Sequence, residues 1–477
     1  MDLKSKAFSG VKWTSISSIV VAFLQLTQMA ILARYLEPAD FGLMAIVMVV
    51  IGFSSLFMDM GISSAIIHRQ NITHNQLSSL YWLNLGAGIL LALLVYILAP
   101  TIAFFYEEAA LTPLVRLLSL TFIISAIGNQ YRILYQKELQ FNHLAKVEIL
   151  SAFVGFIAAV YFAVNGFGVY SLIYAALVKV VVANFLFFIT GLKKHKPSLH
   201  YRHTDINSMI GFGMFQMGER SINYFNSQFD TILIGKLLGT ESLGVYTIAK
   251  TLVMKPAQII NPIITKVTFP VMAKVQDDEV KLRSIYLKTI NYLCSINTPI
   301  YIAIAVLAEP IVFLLFGKHW GDAVPILQIL SAYYILRSTG NPIGALQLAK
   351  GRADLGFYWN ALLFVFVPMS IYLGSFHGLH GIAYSLVVLS LVFSIPNWYF
   401  MVKPLCGAKF VEYFFNIAQP ILLSSLSAIL AFVLSSNVFK DIYVNGLLFL
   451  SMATIFLLLL SFVANTESSK LLKGFFK

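Results

Sequence analysis

The chain carries about fourteen uninterrupted apolar stretches, each long enough to cross a bilayer, which takes roughly 20 helical residues at about 1.5 Å each. They run approximately over 11–33, 41–67, 79–104, 115–135, 144–164, 169–190, 206–237, 242–272, 285–307, 323–348, 355–373, 381–402, 413–435 and 443–464. A helix on the surface of a soluble protein is apolar along one stripe, whereas these are apolar nearly all round and need lipid on their outer faces. Barrel strands would alternate over about ten residues, so a membrane barrel is excluded. Charged residues make up 11% of the chain against 58% hydrophobic, where soluble domains carry about 25% charge. A soluble multi-domain enzyme, a disordered chain and a disulfide scaffold are excluded with it. Cys294 and Cys406 are far apart and outside any metal spacing, and no histidine pair forms an H-E-x-x-H motif. No P-loop is present and the longest connector, 192–205, has no room for a nucleotide-binding domain.

Lys+Arg number 33 against 21 acidic residues, a net charge of +12. In a polytopic protein this surplus reads as topology rather than nucleic-acid binding. One set of loops carries Lys4, Lys6, Arg69, Lys137, Lys193, Lys194, Lys196, Arg202, Lys274, Lys281, Arg283, Lys350, Arg352, Lys403, Lys409, Lys470, Lys473 and Lys477. The opposite set holds only Arg34, Lys236, Lys318 and Lys440, with the acidic pair Glu107/Glu108. Basic loops stay in the cytoplasm, so both termini are expected there. The run after Lys6 is too long for a signal-peptide core and is read as an uncleaved first span. The five tryptophans lie near span ends or in loops, as an aromatic belt requires.

An internal repeat organises the spans. Residues 33–43 (Ala-Arg-Tyr-Leu-Glu-Pro-Ala-Asp-Phe-Gly-Leu) align without a gap on 235–245 (Gly-Lys-Leu-Leu-Gly-Thr-Glu-Ser-Leu-Gly-Val). Gly128-Asn129-Gln130 answers Gly340-Asn341-Pro342, and Asn165-Gly166-Phe167-Gly168 with Tyr170-Ser171-Leu172 answers 377–381 with Tyr384-Ser385-Leu386. The copies are six spans apart and so point the same way, the parallel repeat of two-lobed transporters. The expected architecture is all-α. An N-lobe occupies 1–191, a linker 192–205, a C-lobe 206–402, and an added helix pair with a tail 403–477.

Charges inside the spans are costly and therefore candidates for function. In span seven Glu219, Asn223, Asn226 and Asp230 form one polar stripe with Arg220 beside it. Span eight offers Lys250, Lys255 and Gln258, and Pro256, Pro262 and Pro270 should bend it. Asp59, Glu148, Lys179 and Arg337 lie in spans two, five, six and ten, and Gln25 and Gln28 polarise span one. The competing reading is structural: Arg116, Arg132, Glu148 and Lys266 are close enough to span ends to snorkel, and Glu219 with Arg220 could form an interhelical ion pair. The basic residues and amides Lys179, Arg220, Lys250, Lys255, Arg337, Asn223, Asn226, Gln258, Gln25 and Gln28 suit an anionic, hydrogen-bonding cargo. Asp59, Glu148, Glu219 and Asp230 are the carboxylates available to couple an ion.

Several segments resemble a known family. Ser9-Gly10-Val11-Lys12-Trp13, Ala33-Arg34, Phe41-Gly42-Leu43, 81–84 (Tyr-Trp-Leu-Asn), 136–142 (Gln-Lys-Glu-Leu-Gln-Phe-Asn), 261–267 opening on Asn261-Pro262-Ile263, and 337–344 with Asn341-Pro342-Ile343 are similar to polysaccharide flippases of the colanic-acid-exporter and O-antigen type. The resemblance weakens in the last two spans. Asn261, Pro262, Asn341 and Pro342 are its signature positions rather than assigned ligands. It implies the multidrug/oligosaccharidyl-lipid/polysaccharide transporter superfamily and alternating access between two lobes. It also implies an undecaprenyl-pyrophosphate-linked oligosaccharide as cargo, a proton or sodium gradient in place of any cofactor, and contact with membrane lipid and other polysaccharide-assembly proteins. A multidrug antiporter of the same superfamily would have a net-acidic cavity. A polysaccharide polymerase or ligase would need a larger outer loop than 309–322.

Overall fold

A computed structural model describes residues 3–59, 66–67, 72–202, 204, 207–435 and 442–463. Among these the regular structure is helical throughout, with no strand. In lipid a backbone can satisfy its N–H and C=O groups only within a helix or a closed barrel, and the long apolar runs lead to the first. The first helices are α1 Leu3–Leu32, α2 Pro38–Asp59, α3 His74–Tyr106, α4 Leu111–Lys137, α5 Phe141–Val164 and α6 Tyr170–Leu192. Beyond them come α7 Asn207–Lys274, α8 Glu279–Val306, α9 Ala308–Leu315, α10 Ala323–Thr339, α11 Asn341–Ala349 and α12 Ala353–Ser375. The last are α13 Gly378–Asn397, the short α14 Lys403–Cys406, α15 Phe410–Ser435 and α16 Ile442–Val463.

Twelve of the described helices are long and apolar enough to cross a membrane. Two departures reconcile this with the expected fourteen. Helix α7 covers 68 residues, about 100 Å if straight, over three times a hydrocarbon core of about 30 Å. It doubles back instead at Gly239, whose φ of 81° and ψ of 177° suit only glycine. A Cβ on Gly235 would stand 3.1 Å from Leu243 Cδ2, across the bend. The two arms of α7 are therefore spans seven and eight. Span ten, expected as one run, is broken: α10 ends at Gly340, and α11 restarts with Pro342 in its first turn, where a missing N–H costs nothing. Its repeat counterpart lacks the proline, and α4 runs unbroken through Gly128-Asn129-Gln130.

The chain forms two compact units, Met1–Gly244 and Val245–Lys477. In the first, α3 packs on α4, α5 on α6, α1 on α5, and α4 on α6. The first arm of α7 belongs to this unit by packing, although the repeat assigns it to the second half of the sequence. Small and polar residues hold the unit together. The Asn84 side chain donates to the Ala126 carbonyl at 3.1 Å and Gln130 to the Leu77 carbonyl at 2.9 Å. Such bonds contribute about 0.6–2 kcal/mol between helices in lipid. Outward faces are apolar: Leu90, Leu93 and Ile97 of α3 are exposed, while Ala87, Ala92 and Ala99 of the same helix are buried. Within this unit, α1, α3, α5 and the first arm of α7 start on one side, here the near side. Helices α2, α4 and α6 start on the far side.

The linker is strapped to the near side of the first unit. Trp82 Nε1 donates to the Ser198 carbonyl at 2.8 Å, and the N–H groups of Ser198 and Arg202 donate to Ser78 and Ser79 hydroxyls at 3.1 Å each. Lys194 pairs with Glu138 and lies over the Tyr135 ring. His195 is buried against His74, and desolvation, then the His74 charge, pushes its pKa below the usual imidazole range.

In the second unit α15 packs on α16 and α8, α10 on α8 and α13, and α12 on α13. Its core includes Tyr286, Cys294, Cys406 and Tyr413, so both thiols are buried and unbridged. Asn297 donates to Asn261 Oδ1 at 2.9 Å inside this unit. Trp320, in the connector between α9 and α10, is fully buried.

Candidate functional site

The first unit holds an open cavity of about 470 Å³ between α1, α4, α5 and α6. Helical periodicity supplies its walls. Ser125, Asn129 and Arg132 recur at four- and three-residue steps along one face of α4, and Glu148 and Ser151 share a face of α5. Ser17 and Ser18 come from α1, and Lys179, Asn184 and Phe187 from α6. Arg132 and Phe187 lie toward the ends of their helices and Glu148 toward the start of its own, whereas Ser17, Ser125 and Lys179 are near mid-helix, so the cavity runs from mid-depth toward the near side.

Glycines bring the walls close. A Cβ on Gly128 would lie 2.6 Å from the Asn184 Cα, and one on Gly155 would lie 3.0 Å from the Lys179 Cβ. The polar groups are partly organised. The Ser17 hydroxyl, buried, donates to Glu148 Oε2 at 3.1 Å. Glu148 is within electrostatic reach of Lys179, which is half-buried. Two cations, one carboxylate, two amides and four hydroxyls face a volume in the range of small-molecule sites, about 300–1,000 Å³. The charges leave a surplus of one positive. This arrangement can hold an anionic group against Arg132 and Lys179 and hydrogen-bond neutral hydroxyls around it. The described residues contain no cluster of His, Cys, Asp or Glu able to hold a metal.

The sequence candidates are distributed unevenly. Lys179 and Glu148 meet in the cavity, joined by Arg132. Arg132, exposed, and Glu148 both line this pocket. Gln25 and Gln28 lie further along α1 and do not line the cavity. On the first arm of α7, Arg220 and Asn223 are exposed, and Asn226 and Asp230 are half-buried. Asp230 Oδ1 accepts from the Thr231 N–H at 2.7 Å. The side chains of Asp59, Glu219 and Asn341 lie outside the described residues.

In the second unit Lys250 sits over the Tyr246 ring at 5.8 Å. Lys255 is half-buried and Gln258 exposed. Arg337 is exposed, donates to the Tyr333 hydroxyl at 2.9 Å, and lies 5.7 Å from the Tyr333 and Tyr334 rings. Asn261 is buried in its amide pair, Pro262 is exposed and Pro342 is buried. Sequence reasoning missed Ser17, Ser125, Asn129, Ser151 and Asn184. Asn129 alone carried a signal, as the centre of a repeated motif.

Residues 31–325 match the family described as polysaccharide biosynthesis protein. The chain belongs to that family. The lipopolysaccharide biosynthesis protein WzxC of Escherichia coli (strain K12) is 34% identical over 435 residues, covering 91% of this chain and 88% of that protein. The teichuronic acid biosynthesis protein TuaB of Bacillus subtilis (strain 168) is 34% identical over 439 residues, covering 91% and 90%. Among solved structures, the lipid II flippase MurJ in an inward closed conformation superposes with a TM-score of 0.76 at 14% identity, covering 96% of this chain and all of that one. This family member therefore has a MurJ-like, polytopic helical fold.

Proposed function

We propose that this protein is a flippase. It turns a polyprenyl-pyrophosphate-linked oligosaccharide, with undecaprenyl as the expected carrier, from the cytoplasmic to the periplasmic leaflet of a bacterial inner membrane for surface polysaccharide synthesis. The near side is the cytoplasmic side, on the strength of the basic loops. The observation that carries the reading is the near-side cavity, in which Arg132 and Lys179 outnumber Glu148 beside amides and hydroxyls. Cations bind pyrophosphate or acidic sugars, and Asn129, Asn184 and the serines bind sugar hydroxyls. The polyprenyl tail is as apolar as lipid and stays outside the unit. Lys255 and Arg337 contribute cations in the second unit. Glu148, held by Ser17, exchanges a proton or an ion as cargo leaves, with Asp59, Glu219 and Asp230 as further coupling carboxylates. A cavity with surplus positive charge argues against a cationic-drug antiporter.

The test is export in cells. Lys179→Ala and Arg132→Ala, and then Lys255→Ala and Arg337→Ala, should lower surface polysaccharide at least tenfold at unchanged membrane abundance, with lipid-linked oligosaccharide accumulating on the cytoplasmic face. A tenfold loss corresponds to about 1.4 kcal/mol, less than truncation of a buried charge contact commonly costs. Normal surface polysaccharide in the Lys179 and Arg132 variants would remove the cavity from the transport path.

A further inference from the structure

The far side of the first unit is closed by a different kind of contact. A Cβ on Gly42 would stand 1.9 Å from the Thr240 carbonyl oxygen, and one on Gly244 would stand 1.7 Å from the Pro38 carbonyl oxygen. Both obstacles are backbone, which cannot swing aside as a side chain can. Neither glycine has a positive φ, so close approach, not backbone conformation, is what excludes a side chain here. The gapless repeat pairs Gly42 with Gly244 and Pro38 with Thr240. Each glycine therefore packs on the other copy's equivalent residue, and exchanging the copies turns one contact into the other. That is the signature of a two-fold, self-complementary interface.

The seam continues inward. The Tyr224 hydroxyl donates to the Val49 carbonyl at 2.8 Å, a Cβ on Gly52 would lie 2.3 Å from that hydroxyl, and Phe53 packs on the Phe225 ring. From Pro38 to Phe53 it covers roughly 20 Å of helix. At its rim Lys236 pairs with Glu107 at 2.7 Å, and Thr240 donates to Glu108 at 3.1 Å.

We infer that Gly42 and Gly244 form a two-fold glycine latch between α2 and α7 that seals the far side while the near-side cavity is loaded, and that this latch must part for release. The inference rests on the transport reading for its purpose, but not for its mechanics. At Gly42 and Gly244 the contact is backbone on backbone with no side chain interlocked, so this outer end of the seam closes tightly and separates without stranding a charge.

The test uses the full chain in spheroplasts, with Cys294 and Cys406 replaced by Ala and a reporter thiol at Ile46→Cys. Ile46 is buried in the seam beside Gly235. A membrane-impermeant maleimide added from the periplasmic face should label this thiol slowly. Gly42→Val and Gly244→Val should each raise the labelling rate several-fold, by similar factors, because the two-fold relation makes the positions equivalent. Unchanged labelling in both, at normal membrane abundance, would overturn the latch. If the valine variants do not accumulate, the rim decides: Lys236→Glu should raise labelling, and adding Glu107→Lys should restore it, whereas no response to either would likewise overturn the latch. Labelling needs no cargo. Raised labelling together with normal polysaccharide in the Lys179 and Arg132 variants would keep the latch and remove the cavity from the transport path; unchanged labelling together with lost polysaccharide would do the reverse.

Discussion

The two sides of the first unit solve opposite problems with opposite residues. On the far side, α2 and α7 meet backbone on backbone at Gly42 and Gly244, and side chains such as Tyr224 fill the seam only further in. On the near side, Arg132, Lys179 and Glu148 line an open volume. A charge inside a membrane demands water or a partner, so a polar wall keeps its cavity wet. A glycine demands nothing and leaves helices free to touch. The difference teaches that polarity marks where the unit is open, and small residues mark where it is shut.

The largest effects expected on breaking this contrast are those already described: loss of export from the cavity variants and faster labelling from the latch variants. A smaller effect tests whether glycine packing also shapes the open side. Gly128→Val should collide with Asn184 and cost about 1–3 kcal/mol, as overpacking of a core does, read as a lower unfolding midpoint in detergent. An unchanged midpoint would mean that α4 and α6 have slack, and that the cavity width is not set by this contact.

The rim pair should sharpen the comparison through its pH dependence. The Lys236 hydrogen bond and charge hold the Glu107 carboxyl below its usual range. The pair is therefore intact above ordinary carboxylate pKa values and is lost as pH falls through the depressed one. Labelling of Ile46→Cys, taken relative to a fully exposed reporter thiol so that the fall in thiolate fraction with acidification cancels, should stay flat from neutral pH through mildly acidic conditions and rise only below that range. High salt should raise it modestly, because the pair is exposed. A rise already near neutrality would assign the closure to some other titrating group.

The smallest expected effect is at the linker. His195 is neutral in its buried place, with a pKa below the ordinary 6.5. The unfolded linker binds a proton more readily, so docking is fully stable above pH 6.5 and weakens as pH falls beneath it. Protease cleavage within 193–202 should speed up on acidification in the wild type and lose that pH dependence in His195→Phe. Pairs such as Lys194–Glu138 sit outside this switch and should hold the strap at neutral pH in both.

Much of this was legible in one dimension. The apolar run at 79–104 anticipates α3 within a few residues at each end, because a helix in lipid must be long and apolar all round. The match of 33–43 to 235–245 was legible too, including both latch glycines, though not what they touch. Lys179 stood out as a deep charge, whereas Arg132 and Glu148 looked like snorkelling groups, because distance from a span end is all that sequence measures. Ser17, Ser125 and Asn184 were silent: single small polar residues in apolar helices are common and most serve packing. The break in span ten falls at a polar stretch, Arg337-Ser338-Thr339-Gly340-Asn341-Pro342, but the apolar runs on either side together have the length of a single span.

The sequence by itself determined the solvent, the secondary structure, the near-side bias of charge and the repeat, since each follows from composition and period along one chain. Only the tertiary structure decided that Arg132, Glu148 and Lys179 share a cavity and that Gly42 rests on Thr240 while Gly244 rests on Pro38. Periodicity says which face of a helix a residue occupies. Which helix stands opposite that face depends on how all the others pack.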